Sequence, residues 1–286
     1  MEDFGTVFKK LRESRHLSLA DISKMGVSTS QISRFENGES DLTITKFIAI
    51  LKKMNISIDE YLYVVNNFKR DDLSELLYQI NKYLINHDAK GLKNLLVTYQ
   101  EKTDDSIYHR LHILIIKIRL SFLDSYNQYE LKDIEELSEY LFSVEYWGIY
   151  ELLIFSSVID VLEPQLYMTL LREMNRRVDF YKDIPRNKKL IIIMNINANI
   201  TCVEANDFIS ADYIEKQIIR MNIEETDLYE RLFFKYAKNI YNYKVSKDEK
   251  YLEVIKKIIA AVKIADSEHL AENFEEHLNK ILQLNE

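Results

Sequence analysis

The sequence predicts an all-α protein of two domains, and three observations carry that prediction. The 286 residues include only 5 glycines and 2 prolines, the residues that most penalise a helix interior. Apolar residues recur at intervals of three and four almost throughout, the period of a helix with one buried face. No stretch sustains the apolar–polar alternation of a half-buried strand. The length suits two domains of about 100–200 residues each. The content, 47% hydrophobic and 29% charged, is that of a soluble globular chain.

The elements follow in order. Phe4, Val7, Phe8 and Leu11 form the apolar stripe of a first helix. Leu19 and Ile22 belong to a second, with Ser18 and Asp21 at the spacing of a capping box. Ser28 and Gln31 repeat that start signal before Ile32 and Phe35, and Gly38 supplies the left-handed stop. Thr43 opens a fourth helix with Ile44, Phe47, Ile48 and Leu51 expected inward. Ser57 and Glu60 make a further capping box for a fifth. Asn66 to Asp72 is polar and loses the stripe, so the boundary falls there: a head over 1–66 and a body over 67–286. That stretch is no Gly/Ser linker, so a stiff connection is expected.

Residues 71–286 read as about ten or eleven helices of about 12–20 residues. Breaks are expected near Asp88, Asp104, Asn127, Gly148, Pro164, Pro185, Asp207, Thr226, Ser246 and Ser267. Helix pairs recur roughly every 35–45 residues, the period of stacked helical hairpins. The body is therefore expected to be a TPR-like superhelical stack, whose concave surface suits an extended ligand.

Net charge is −8, yet residues 1–67 carry nine Lys/Arg against nine Asp/Glu. The deficit, 29 basic against 37 acidic residues, lies wholly in the remainder. A neutral head can gather its cations on one face, whereas an acidic body is repelled by polyanions. The single cysteine, Cys202, rules out a disulfide within one chain and points to a reducing compartment. The first ten residues lack a secretory pattern. The richest apolar run, Leu190 to Met194, is far short of the ~20 residues of a membrane span. The expectation is a cytoplasmic protein without a membrane partner.

Leu17 to Gly38, LSLADISKMGVSTSQISRFENG, places two helices around a tight turn at Met25-Gly26. A helix-turn-helix needs this, because the second helix must project into a major groove ~12 Å wide. Ile22, Val27, Ile32 and Phe35 would hold the pair together. Thr29, Ser30, Gln31, Ser33 and Arg34 would stay on or near the outer face, with groups suited to base edges and phosphates.

The stretch GVSTSQISRFENGES and the helix before it resemble the lambda-repressor-like domain of the Cro/C1 or XRE type. The resemblance covers about residues 4–64. It implies that Ser28 opens the recognition helix. Thr29, Ser30 and Arg34 would face bases, and Gln31 would contact base or backbone. Ser18 and Asn37 occupy phosphate-contacting positions, and Arg12 and Glu36 match a structural ion pair. SQISRFENGES, together with Tyr146 to Phe155 (YWGIYELLIF), further resembles the Rgg/GadR/MutR regulators. That resemblance spans nearly the full chain. It implies a homodimer that binds promoter DNA and a short signalling peptide, and no head disulfide, since Ile44 stands near the cysteine position of some relatives.

A bound peptide leaves backbone N–H and C=O groups unpaired, and an asparagine amide can meet both. Asn195 and Asn199 share a helix face, and Asn239 and Asn242 could repeat the arrangement one hairpin later. Arg119, in an otherwise apolar stretch, is a candidate partner for a peptide carboxylate, with an internal carboxylate as the alternative. Trp147 and Tyr150 read as core, Cys202 as buried. His109 and His112 read as an exposed pair without a third metal ligand, and Arg186, Lys188 and Lys189 as a solvated helix start. No phosphate loop, nucleophile elbow or zinc signature occurs, so no metal, cofactor or enzyme activity is expected. A regulator sensing a small molecule or a protein partner, or a constitutive one, is the alternative.

Overall fold

The computed structural model describes residues 3–24, 26–68, 71–124 and 129–283. Its regular elements, among the described residues, are all helical. They run α1 (Phe4–Glu13), α2 (Leu19–Ser23), α3 (Thr29–Glu36), α4 (Ile44–Lys53), α5 (Ile58–Val65), α6 (Asp72–Ile85), α7 (Ala89–Gln100) and α8 (Ile107–Ser121). Then come α9 (Leu131–Ser143), α10 (Ile149–Ser156), a 3₁₀ turn at Ile159–Val161, α11 (Pro164–Arg177) and α12 (Pro185–Glu204). The last are α13 (Phe208–Arg220), α14 (Leu228–Ser246), α15 (Lys250–Ile264) and α16 (Glu268–Gln283). Met25 and the expected break at Asn127 lie outside the described residues.

The chain divides into two compact units, Met1–Asn94 and Leu95–Glu286. The first therefore runs past the Asn66–Asp72 stretch to include α6 and the start of α7. The first five helices nonetheless close a core of their own, from Val7 and Phe8 through Ile22, Ile32, Phe35, Phe47 and Ile50 to Tyr61 and Val65. Caps set its helix starts. Ser18 with Asp21, and Ser57 with Glu60, form reciprocal capping boxes. Ser28 caps α3 by accepting from the Gln31 amide at 3.2 Å. At its other end Gly38 takes φ +74°. The Gly38 and Glu39 amides there donate to Phe35 and Arg34, the paired bonds of a Schellman stop. Thr43 begins α4 without a side-chain cap bond.

One inward stripe needs correcting. Ile44 is 66% and Ile48 36% exposed, while Ile50 is fully buried beside Phe47 and Leu51. The α4 core face is thus set by residues 47, 50, 51 and 54. The β-branched residues Ile44 and Ile48 face out.

In the second unit the helices form two layers. α12 packs on α10 and α14 within one layer, and α9 meets α11 within the other; α12·α13, α14·α15 and α8·α9 pair across. Pro164 and Pro185 stand at first helical positions of α11 and α12, where a missing N–H costs nothing.

Candidate nucleic-acid interface and ligand face

In the head, close helix approach and a buried ion pair hold α3 in place. A side chain on Gly5 would put its Cβ 1.8 Å from the Phe35 carbonyl oxygen, so α1 and α3 can meet only through glycine. Arg12 donates to Glu36 through Nε at 2.6 Å and through a terminal nitrogen at 2.9 Å, and to the Leu17 carbonyl at 2.6 Å. Both partners are buried, and such a bidentate pair constrains direction as well as distance. The Tyr61 hydroxyl donates to the Phe4 carbonyl, tying α5 to α1.

This scaffold leaves one polar surface outward. Ser18, Ser28, Thr29, Ser30, Arg34 and Asn37 are exposed, and Gln31 is half-buried. Ile32 and Phe35 on the opposite side of α3 are buried. Gly26, at φ +87°, begins the bend into Ser28. The first-turn amides of Thr29 and Ser30 have no carbonyl four residues earlier within the helix, so they add donors beside the hydroxyls. Helix start, hydroxyls and guanidinium together suit an anionic, hydrogen-bonding surface such as a duplex groove.

In the body the asparagines are placed differently from expectation. Asn195 is fully buried. It exchanges hydrogen bonds with Asn175 of α11 at 2.8 and 3.0 Å and donates to Ile191 O at 2.9 Å. Asn199, 2% exposed, donates to Ala211 O of α13 at 2.9 Å. The two do share a face, the one that bonds α12 to α11 and α13. Asn239 is likewise buried and bonds Lys235 O in its own helix. Asn242 is half-buried, on the α14 face of Arg231, Lys235 and Lys238. The ladder of Asn195, Asn199 and Asn239 therefore falls on buried amides, each donating at least one hydrogen bond within the protein.

The outward stripe of α12 is Leu190, Ile193, Asn197 and Thr201, half-buried or exposed. α10 and α14 pack on the flanks of α12, and α11 and α13 meet Asn195 and Asn199, whereas this stripe keeps solvent exposure. Asn197 is thus the accessible amide that sequence reasoning missed. The signal was weak because polar and apolar residues alternate around α12 without a preferred side, so its periodicity does not point. Arg119 of α8 is half-buried and pairs with Asp160 at 2.8 Å, the internal-carboxylate alternative.

Other expectations resolve in the same terms. Trp147 is fully buried, its indole N–H donating to Leu141 O at 3.1 Å. Tyr150 lies half-buried against Tyr108, Tyr140 and His112. Cys202 is buried, and burial pushes its thiol up to about 11. His109 is not exposed: it is buried, stacked on Tyr99, with Nε2 2.8 Å from Tyr99 O. Lys188 and Lys189 are not simply solvated; they pair with Glu224 at 3.2 Å and Asp227 at 2.9 Å, anchoring the turn before α14.

A projecting, polar-faced second helix on a five-helix core, followed by a two-layer helical body, defines a DNA-binding transcription regulator of the helix-turn-helix class. Residues 8–61 match the helix-turn-helix family. Residues 92–276 match the C-terminal domain of the HTH-type transcriptional regulator Rgg, and the chain belongs to that family, a non-enzymatic class. Its fold matches a single-residue variant of the SHP pheromone receptor Rgg2 from Streptococcus dysgalactiae, with TM-score 0.87, 25% identity and coverage of 98% of this chain and 99% of that one. A putative transcriptional regulator from Listeria monocytogenes EGD-e has TM-score 0.87 at 18% identity, covering 99% and 98%. The PrgX/cCF10 complex has TM-score 0.77 at 17% identity, covering 98% and 100%. No described helix is long and apolar enough to cross a membrane.

Proposed function

We propose that this regulator acts in the cytoplasm as a homodimer whose heads, residues 1–66, enter successive major grooves of a near-palindromic promoter site. Thr29, Ser30 and Arg34 read base edges, with Gln31 beside them, and Ser18, Ser28 and Asn37 hold phosphates. The carrying observation is that Ser28, Thr29 and Ser30 at the start of α3, Arg34 in its last turn, Asn37 at its end and Ser18 at the start of α2 are all exposed, while Arg12–Glu36 and Gly5 hold the buried side of α3. Binding to promoter fragments should fall steeply with salt, as counterions are released. Arg34→Ala should weaken it by about 1–3 kcal/mol, the range of a good base contact. Unchanged affinity at low salt would refute this assignment.

The body, residues 67–286, binds a short signalling peptide on the open face of α12, where Asn197 meets a peptide unit and Leu190 and Ile193 take apolar side chains. Arg119 takes a carboxylate in exchange for Asp160. The support is that pheromone-receptor structures of similar fold carry this body, and that the outward stripe combines an accessible amide with apolar neighbours. Calorimetry with peptides encoded beside the gene tests it. Asn197→Ala should cost at least tenfold in affinity, and equal binding by the variant would remove Asn197 from the site.

A further inference from the structure

The α14 face that carries Arg231, Lys235 and Lys238 does not take part in the proposed peptide site, and it is chemically unusual. The three cations are spaced four and three apart, on one side of a helix, in a body with an acid excess. Glu230 and Lys244, by contrast, point to α12, where they meet Lys189 and the Val203 and Glu204 carbonyls. Lys238 is paired with Glu215 at 2.5 Å, but Arg231 and Lys235 make no ion pair among the described residues. Like charges at this spacing repel one another, so the face carries an electrostatic cost that an anion would offset.

Beside these cations lies a cavity of about 520 Å³ formed by the end of α13 and the first three turns of α14. Its lining is mixed: Ile219, Ile223, Leu228, Leu232 and Phe234 are apolar, while Asn222 and the three cations are polar. Leu228 is 64% and neighbouring Ile219 57% exposed, large apolar side chains left in water at the edge of a cavity. The volume is within the range of small-molecule sites. Its far rim, the turn after α13, is held by Lys188–Glu224 and Lys189–Asp227, so the cavity stands on an anchored frame. From Leu228 to Lys238 the helix runs about 15 Å, enough to lay out an alkyl chain of moderate length.

We propose that this cavity is a binding site for a single-chain anionic amphiphile, a medium-chain carboxylate, distinct from the peptide face. Its carboxylate would bridge Arg231 and Lys235, and its chain would cover Ile219, Ile223, Leu228 and Leu232. Charge complementarity selects the head group, and the apolar part of the lining selects the tail.

The test is calorimetric titration of the full chain with decanoate below its micellar range, alongside decanol. Saturable binding of one decanoate per chain is expected, with decanol at least tenfold weaker. Arg231→Glu with Lys235→Glu should weaken decanoate about a hundredfold, on the order of tenfold for each charge-assisted hydrogen bond removed. Both residues are exposed, so the thermal unfolding of the double variant should match the parent. Leu228→Asn should shrink the affinity gap between decanoate and hexanoate. Equal affinity in the double variant, binding at micellar concentration only, or a change in self-association without decanoate binding would each overturn the proposal; the last would assign this face to a second copy of the chain.

Discussion

Buried polar groups in the head meet as ions, whereas in α12 they meet as neutral amides. Arg12 and Glu36 close a charged fork between two short helices. Asn175 and Asn195 close a reciprocal amide pair between two layers of a repeat body. The charged pair is unforgiving, because removing one member leaves a buried charge. The amide pair tolerates more, since a lone amide costs less to leave unmet. The head thus gains a rigid aim for α3, and the body a register between layers at smaller cost.

The largest effect expected from this contrast is on the head. Arg12→Ala should destabilise it by about 3–5 kcal/mol, since Glu36 stays buried and unpaired. Arg12→Met with Glu36→Leu should recover most of that loss in denaturant unfolding. If the double variant is as unstable as the single, the pair is more than a constraint on packing.

A smaller effect is expected in α12. Asn195→Ala should cost about 1–3 kcal/mol by leaving Asn175 unmet. Asn197→Ala, two residues on but outward, should stay within about 0.5 kcal/mol. Matching losses at both positions would erase the distinction between inner and outer faces of this helix.

The smallest effect concerns His277, at the junction of α16 with α12 and α14. Its Nδ1 lies 2.7 Å from the Tyr236 hydroxyl and its Nε2 3.3 Å from Glu204, which also binds Lys280 at 2.8 Å. Burial lowers its pKa below the ordinary imidazole value, against the opposing pull of Glu204. The unfolded chain therefore binds a proton more readily than the folded one. Stability should fall as pH drops below about 6.5, by at most about 1.4 kcal/mol per pH unit from this group. His277→Gln should flatten that slope; an unchanged slope would place the titrating group elsewhere.

The head is almost fully legible in the sequence because its signals are local. Ser18 with Asp21 and Ser57 with Glu60 act within one turn, and Gly38 acts on its own backbone. A cap needs no partner from elsewhere in the chain. The exceptions, Ile44 and Ile48, are apolar residues whose inward or outward sense depends on where α1 and α5 lie. The body is legible as helices, but not as faces. Asn195, Asn197 and Asn199 sit among Ile191, Ile192, Met194 and Ile196, and no polar side marks the outside. Nothing in the sequence sets Asn197 apart for that reason, and His109 reads as exposed although α7 covers it.

The amino-acid order alone carried the helical class, the caps, the family-specific turn into α3 and the polar set at its start, because backbone hydrogen bonding and capping are settled within a few residues. Only the packed chain could say that Asn195 serves the layer behind α12, that Asn197 looks out, and that Arg119 already holds Asp160. Those outcomes depend on which helices, distant in sequence, come to lie alongside, and an apolar stripe that wraps a helix cannot name its neighbours.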